Sequence, residues 1–215
     1  GVHGASAVTC LTAQNPRGVR GVLATTPENL RQQIEAVFDE LRPAAVKTGM
    51  LFSAELIRVV VDYFRKRGRP PLVVDPVMVA KGGSSLLDAA AVLALKKKLR
   101  PLATLVTPNL PEAEVLTGIY PSSEHRARNA AMVFKMAGVN AVLFKGGHGD
   151  GAVVRDVLWH GDDFTPFESP RIATRHTHGT GCTLASAIAT GLGRGLDLVE
   201  AVENARTFVR QALLH

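Results

Sequence analysis

Leu72-Val73-Val74-Asp75-Pro76-Val77 is the stretch from which the fold is read. Its three apolar residues make a short buried strand. Pro76 brings no ladder donor and ends the strand, which leaves Asp75 at the carboxyl end. The same pattern, an apolar run with a polar exit, recurs on both sides. Ala5 to Leu11 reads as a buried strand running into Thr12-Ala13-Gln14-Asn15-Pro16, and Ala44-Ala45-Val46-Lys47 exits through Thr48-Gly49-Met50. Ala103 to Val106 ends in Thr107-Pro108-Asn109, and Ala141-Val142-Leu143-Phe144 ends in Lys145-Gly146-Gly147-His148-Gly149.

Helical patterns fill the intervals. Thr26-Pro27-Glu28 reads as N-cap, first-turn proline and early acid, followed by Leu30, Ile34, Val37, Phe38 and Leu41 on one face. A second helix starts near Ser53, turns Leu56, Val60 and Phe64 inward and stops at Gly68. Lys81-Gly82-Gly83-Ser84-Ser85 is a loop before Asp88, which caps a helix through Leu99. Pro111 opens a short helix with Glu112 in its first turn, and Ser123 to Ala137 makes another. Between Ala152 and Phe167, Val153-Val154 and Val157-Leu158-Trp159 read as a β-hairpin or flap, and Asp197-Leu198-Val199-Glu200 has capping-box spacing before a last helix. Strands alternating with helices imply an α/β fold, a mostly parallel sheet with helices on both faces. Ligands gather outside the carboxyl ends of such strands. Those ends carry Gln14, Met50, Asp75, Asn109 and Lys145.

The 215 residues, 46% hydrophobic and 20% charged, fit one folded domain over 1–215. The apolar runs are too short to span a membrane and no signal peptide opens the chain, so a cytoplasmic setting is expected. Cys10 and Cys182 stand in unlike contexts, which agrees with a reducing compartment. A net charge of +6 suits an anionic ligand. The runs Arg65-Lys66-Arg67 and Lys96-Lys97-Lys98 fall in last helical turns without interleaved aromatics, so neither nucleic acid nor a membrane is an expected partner.

His176-Thr177-His178-Gly179-Thr180-Gly181-Cys182-Thr183 precedes Leu184, Ala187, Ile188 and Leu192 at helical spacing, so a helix begins near Cys182. Two readings stand for it. Gly179 and Gly181 make a tight turn before a small core cysteine, or the free amides and positive helix end form an anion hole of Gly179, Thr180 and Gly181. On the second reading the same field lowers the Cys182 thiol pKa. There is no G-x-x-x-x-G-K-[ST], no third glycine of a dinucleotide fingerprint, and no C-x-x-C or H-E-x-x-H for zinc. Phosphoryl transfer needs charge neutralisation, positioning and a base. Lys145 suits phosphate oxygens, Asn109 and Glu112 suit hydrated Mg²⁺, the Gly179 to Gly181 amides suit the transferring group, and Cys182 suits the proton.

Asp75-Pro76-Val77-Met78 with Lys81-Gly82-Gly83, Pro108-Asn109-Leu110-Pro111-Glu112-Ala113-Glu114, Lys145-Gly146-Gly147-His148 and His178-Gly179-Thr180-Gly181-Cys182-Thr183 closely resemble the hydroxymethylpyrimidine/phosphomethylpyrimidine kinases of thiamine biosynthesis, in the ribokinase superfamily. Most sugar kinases of that superfamily carry Asp where Cys182 stands, so the sulfur points to the pyrimidine branch or to pyridoxal-type kinases. The resemblance implies a ribokinase-like fold and ATP- and Mg²⁺-dependent phosphorylation of 4-amino-5-hydroxymethyl-2-methylpyrimidine and then of its monophosphate. It implies that Gln14, Met50 and Val77 hold the pyrimidine and that Asp75 and Lys145 assist transfer. It places Asn109 and Lys145 on the ATP phosphates, Glu112 and Asp75 on the metal, and Cys182 as base. A homodimer is also implied. Gly1 falls inside what resembles the family's second strand, so the first strand and its acid-bearing turn have no counterpart, and a fragment truncated at both ends is expected. A pyridoxal-type kinase and a non-catalytic pyrimidine-binding domain are the alternatives.

Overall fold

The computed structural model describes residues 1–15, 18–66, 70–78, 87–147 and 151–214. Pro16, Arg67, the Gly68 helix stop, the Lys81-Gly82-Gly83-Ser84-Ser85 loop and His148-Gly149 lie outside the described residues. The chain enters through an antiparallel hairpin of β1 (Cys10–Asn15) and β2 (Gly18–Ala24), in which Leu11 faces Leu23. This corrects the buried strand expected from Ala5 to Leu11. Residues 1–8 form no strand, and Leu11 and Leu23 stay 63% and 68% exposed. Side chains as small as those of Ala5-Ser6-Ala7 gain little from burial, at about 25 cal/mol per Å² of apolar surface. The partner β2 escapes a periodicity reading because its glycines and Arg20 break any alternation.

Helix α1 (Pro27–Glu40) follows, with Thr26 Oγ1 accepting the Asn29 amide and Leu30 and Ile34 buried. The Val8 backbone exchanges two hydrogen bonds with the Gln33 amide, at 2.8 and 3.1 Å, tying the entry segment to α1. Strand β3 (Val46–Thr48) leads to α2 (Ala54–Lys66), whose Tyr63 and Phe64 rings pack on Phe38 of α1. After β4 (Leu72–Val74), Asp88 caps α3 (Ala89–Ala94), which widens into a π turn over Leu95–Leu99 and ends in a 3₁₀ turn over Arg100–Leu102. A single α-helix was expected there. Pro101 has no amide for the ladder, and the chain leaves the α-helix ahead of it.

The remaining elements are β5 (Leu105–Val106), α4 (Leu110–Thr117), α5 (Glu124–Met136), β6 (Ala141–Phe144), β7 (Val153–His160), β8 (Asp163–Pro170), α6 (Thr180–Gly193) and α7 (Leu198–Leu214). Strands β3 to β6 run parallel in chain order, and β7 and β8 extend the sheet antiparallel beyond β6. The hairpin or flap expected between Ala152 and Phe167 is thus an edge of the main sheet.

Each parallel crossover steps to the next strand on the same side, and the fixed right hand of such connections puts their helices on one face. Leu72, Val74, Val106, Val142 and Phe144 point there, into a core with Leu56, Ile57, Leu99, Leu116 and Phe134. The alternate residues Val73, Leu105, Ala141, Leu143 and Leu158 point to the other face. That face is covered by α6 and α7 through Ala185, Ile188, Ala201 and Val202. The covering of both faces matches the sequence expectation. It also explains why the three-residue strand β4 reads as a continuous apolar run rather than an alternating one. No helix among the described residues is long and apolar enough to cross a membrane.

Candidate active site

The carboxyl ends of the parallel strands are joined by backbone bonds that run one step past the strands themselves. Asp75 N donates to Thr48 O at 3.0 Å, Thr107 N to Val74 O at 3.0 Å and Lys145 N to Pro108 O at 2.9 Å. A parallel bridge pairs Asn109 with Lys145. Residues spaced tens of positions apart in sequence are therefore held at one edge of the sheet, with Met50 two positions beyond β3.

Asp75 is the centre of this edge, 1% exposed. Its Oδ1 accepts from Lys145 Nζ at 2.9 Å and from Thr107 Oγ1 at 3.3 Å, and Lys47 Nζ lies 3.6 Å from Oδ2. A buried carboxylate is tolerated only when paired and hydrogen-bonded, and two lysines and a hydroxyl meet that need. Burial works to lower the Lys145 ammonium, but the Asp75 and Glu112 carboxylates and the Asp75 hydrogen bond outweigh it and hold its pKa above the usual lysine range. The ammonium therefore stays charged.

Asn109 and Glu112 serve each other first. Asn109 Oδ1 accepts from Glu112 N and Glu112 Oε2 accepts from Asn109 N, both at 2.8 Å, a reciprocal capping box at the start of α4. The box also fixes the Glu112 carboxylate 4.0 Å from Lys145 Nζ. Burial pushes the Glu112 carboxyl up to about 7, against the pull of Lys145 and the Asn109 amide and with help from the Asp75 charge. Glu112 and Asn109 offer hard carboxylate and amide oxygens beside the Lys145 ammonium, the donor type that a hydrated Mg²⁺ ion takes.

Helix α6 begins at Thr180, two residues before the expected start, because Gly179 at φ 80° turns the chain into the helix. Glycine takes that left-handed conformation without a Cβ clash. Thr183 Oγ1 donates to Gly179 O and Thr180 Oγ1 to Thr177 O, at 2.9 and 3.0 Å, and among the described residues no side chain caps the start of α6. A Cβ built on Gly181 would lie 3.3 Å from Lys145 Nζ, so the ammonium rests against the helix start. An anion brought here meets the lysine and the positive helix end together. Cys182 follows, its residue exposed. Desolvation pushes its thiol pKa up, Lys47 opposes this by charge and hydrogen bond, and Asp75 reinforces it. The thiol is raised rather than lowered as expected, with lost hydration the largest cause.

On the acceptor side, Gln14 Nε2 reaches from the exposed hairpin to His178 Nε2 at 3.1 Å. Thr9 Oγ1 donates to the Met50 carbonyl at 2.8 Å, and half-buried Val77 donates its amide back to Asp75 O. Asp75, Lys145, Asn109, Glu112, Gly181 and Cys182 thus share one neighbourhood, and among the described residues Gln14 joins it through His178. Sequence reading missed Lys47, Thr107 and the His178 contact. A lysine inside the short strand Val46-Lys47-Thr48 was the available signal for the first.

The mixed sheet with helices on both faces is that of the ribokinase-like kinases, the phosphotransferase class shared with the relatives that follow. The phosphomethylpyrimidine kinase family model matches residues 1–215, and the chain belongs to that family. A thiamine biosynthesis bifunctional protein of Geobacter sulfurreducens is 49% identical over 216 residues, 99% of this chain and 44% of that protein. The chain thus spans under half the length of that relative. A hydroxymethylpyrimidine/phosphomethylpyrimidine kinase of Bacillus subtilis is 46% identical over 213 residues, covering 99% of this chain and 79% of that one. The crystal structure of phosphomethylpyrimidine kinase from Clostridium difficile superposes with a TM-score of 0.87 at 39% identity, covering 99% of this chain and 87% of that chain.

Proposed function

We propose that the chain, as one catalytic domain, transfers the γ-phosphoryl group of ATP to 4-amino-5-hydroxymethyl-2-methylpyrimidine and then to its monophosphate. The observation that carries this reading is the Lys145 ammonium, held between Asp75 at 2.9 Å and the start of α6 in a member of this kinase family. The substrate hydroxyl oxygen attacks the γ-phosphorus, the bond to the β-phosphate bridging oxygen breaks, and the hydroxyl proton passes to the Cys182 sulfur in its thiolate form. Lys47, hydrogen-bonded to that sulfur, favours the thiolate, while burial and Asp75 hold the thiol pKa raised overall, so the thiolate fraction and turnover rise with pH. Lys145 and the Gly179, Thr180 and Gly181 amides meet the charge of the transferring group. Glu112 and Asn109, with Asp75 behind them, would hold Mg²⁺, which would supply charge neutralisation at the phosphates. Gln14, Met50 and Val77 line the pyrimidine side. The same reading places the chain in the cytoplasm as a homodimer, which sedimentation would check.

The test is ADP release from ATP and Mg²⁺ with the pyrimidine, its monophosphate and pyridoxal as separate acceptors. Turnover of both pyrimidines supports the reading. Faster turnover of pyridoxal makes the chain a pyridoxal-type kinase, and pyrimidine binding without ADP release makes it a binding domain.

A further inference from the structure

Asp156 and Arg206 form a buried ion pair that reaches the residue after Lys145. Asp156 on β7 is 7% exposed; its Oδ1 accepts the Gly146 amide at 2.8 Å and its Oδ2 accepts Arg206 Nε at 2.7 Å. Arg206, on α7, is pinned in turn: Nη2 donates to Phe167 O at 3.0 Å and to Ser169 Oγ at 3.2 Å, with the guanidinium 5.5 Å from the Phe167 ring centre. Gly146 is confined on its other side, where a Cβ would run into the Arg155 carbonyl oxygen. The Lys145-Gly146 peptide is therefore clamped by the backbone of β7 and by a carboxylate that α7 holds in place.

A buried ion pair is a weak stabiliser, because desolvation roughly cancels the attraction and an apolar pair of similar volume often does as well. Asp156 does what an apolar residue cannot: it accepts the Gly146 amide at the exit of β6. We propose that the Asp156 and Arg206 pair is a positioning device for the phosphate side of the site, setting the path of the chain at Lys145 and thereby the affinity for ATP. The proposal rests on the kinase reading, with Asp156 and Arg206 acting through Gly146 rather than on the nucleotide.

The experiment compares two double variants of the full chain, with calorimetric titration of Mg-ATP in the absence of acceptor and with KM for ATP and for the pyrimidine in the ADP-release assay. Asp156→Leu with Arg206→Met removes both charges together, so neither is stranded, and it removes the acceptor for Gly146. Asp156→Asn with Arg206→Gln keeps that acceptor. The apolar pair is expected to weaken Mg-ATP binding about tenfold, the size of one charge-assisted hydrogen bond, with KM for the pyrimidine unchanged. The amide pair is expected to restore most of the affinity. Wild-type ATP affinity in the folded apolar pair, or no rescue by the amide pair, overturns the proposal. Arg206→Lys is the milder variant should the apolar pair not fold, because a point charge cannot serve Asp156, Phe167 and Ser169 as a planar fork does. An intermediate loss of ATP affinity is expected of it, and wild-type affinity again overturns the proposal. If the unmodified chain binds ATP but releases no ADP with any acceptor, the kinase reading fails while the comparison of ATP affinities still decides the positioning role.

Discussion

Lys145 Nζ sits 2.9 Å from Asp75 Oδ1 although the two residues are 70 positions apart in the chain. The contact puts the Lys145 ammonium on the buried carboxylate of the sheet edge and beside the first turn of α6. Lys145→Met is expected to cut ADP release by about 10²-fold or more, as loss of a charge donor at a transferring group does. Asp75 keeps Lys47 and Thr107, so the fold survives with a loss of roughly 1 to 3 kcal/mol in urea denaturation. A variant with wild-type turnover would remove Lys145 from the reaction.

Gly181→Ala separates stability from activity. Alanine in place of a helical glycine adds roughly 0.5 to 1 kcal/mol, but its Cβ would stand 3.3 Å from Lys145 Nζ and press on the ammonium. The melting temperature is expected to hold or rise while turnover falls about tenfold, the scale of a small displacement of a reacting group. Unchanged turnover would mean that the ammonium does not work from this position.

Cys182→Ala is expected to fold normally, since the residue is exposed. Turnover of the hydroxymethylpyrimidine should drop by about 10² to 10⁴-fold, the range for loss of a general base. A Cys182→Ala protein that phosphorylates the pyrimidine at the wild-type rate would show that the proton goes elsewhere.

Glu112 supplies a pH signature in metal-free buffer. Its carboxyl is pushed up to about 7 in the folded chain from the ordinary 4.5, with burial the largest cause. Between those values the folded state holds a proton that the unfolded state has released, so stability falls as pH rises through the window. From pH 5.5 to 7.5 the wild type should lose roughly 1 to 2 kcal/mol more than Glu112→Gln, which carries no such proton. Parallel denaturation curves for the two proteins would show that Glu112 is ionised throughout.

Much of the fold was legible. The run Leu72-Val73-Val74 before Asp75-Pro76, and its counterparts ending at Thr48, Val106 and Phe144, are strands because short apolar runs with polar or proline exits admit little else. The caps at Thr26 and Asp88 lie where the sequence places them, whereas the Asn109 cap starts α4 one residue before the proline expected to open it. The hairpin of β1 and β2 was not legible, since its register is set by pairing between strands that carry no clear alternation.

Sequence alone determined the order of elements from α1 onward, most of the polar residues at the strand ends and the glycine turn before α6, because each depends on local backbone preference and periodicity. Only the tertiary structure decided which charges meet. Lys47 reaches Asp75 and Cys182, Asp156 reaches Gly146, and the Cys182 thiol is raised rather than lowered. Those outcomes depend on distance and lost hydration between segments far apart in the chain, quantities that no local pattern encodes.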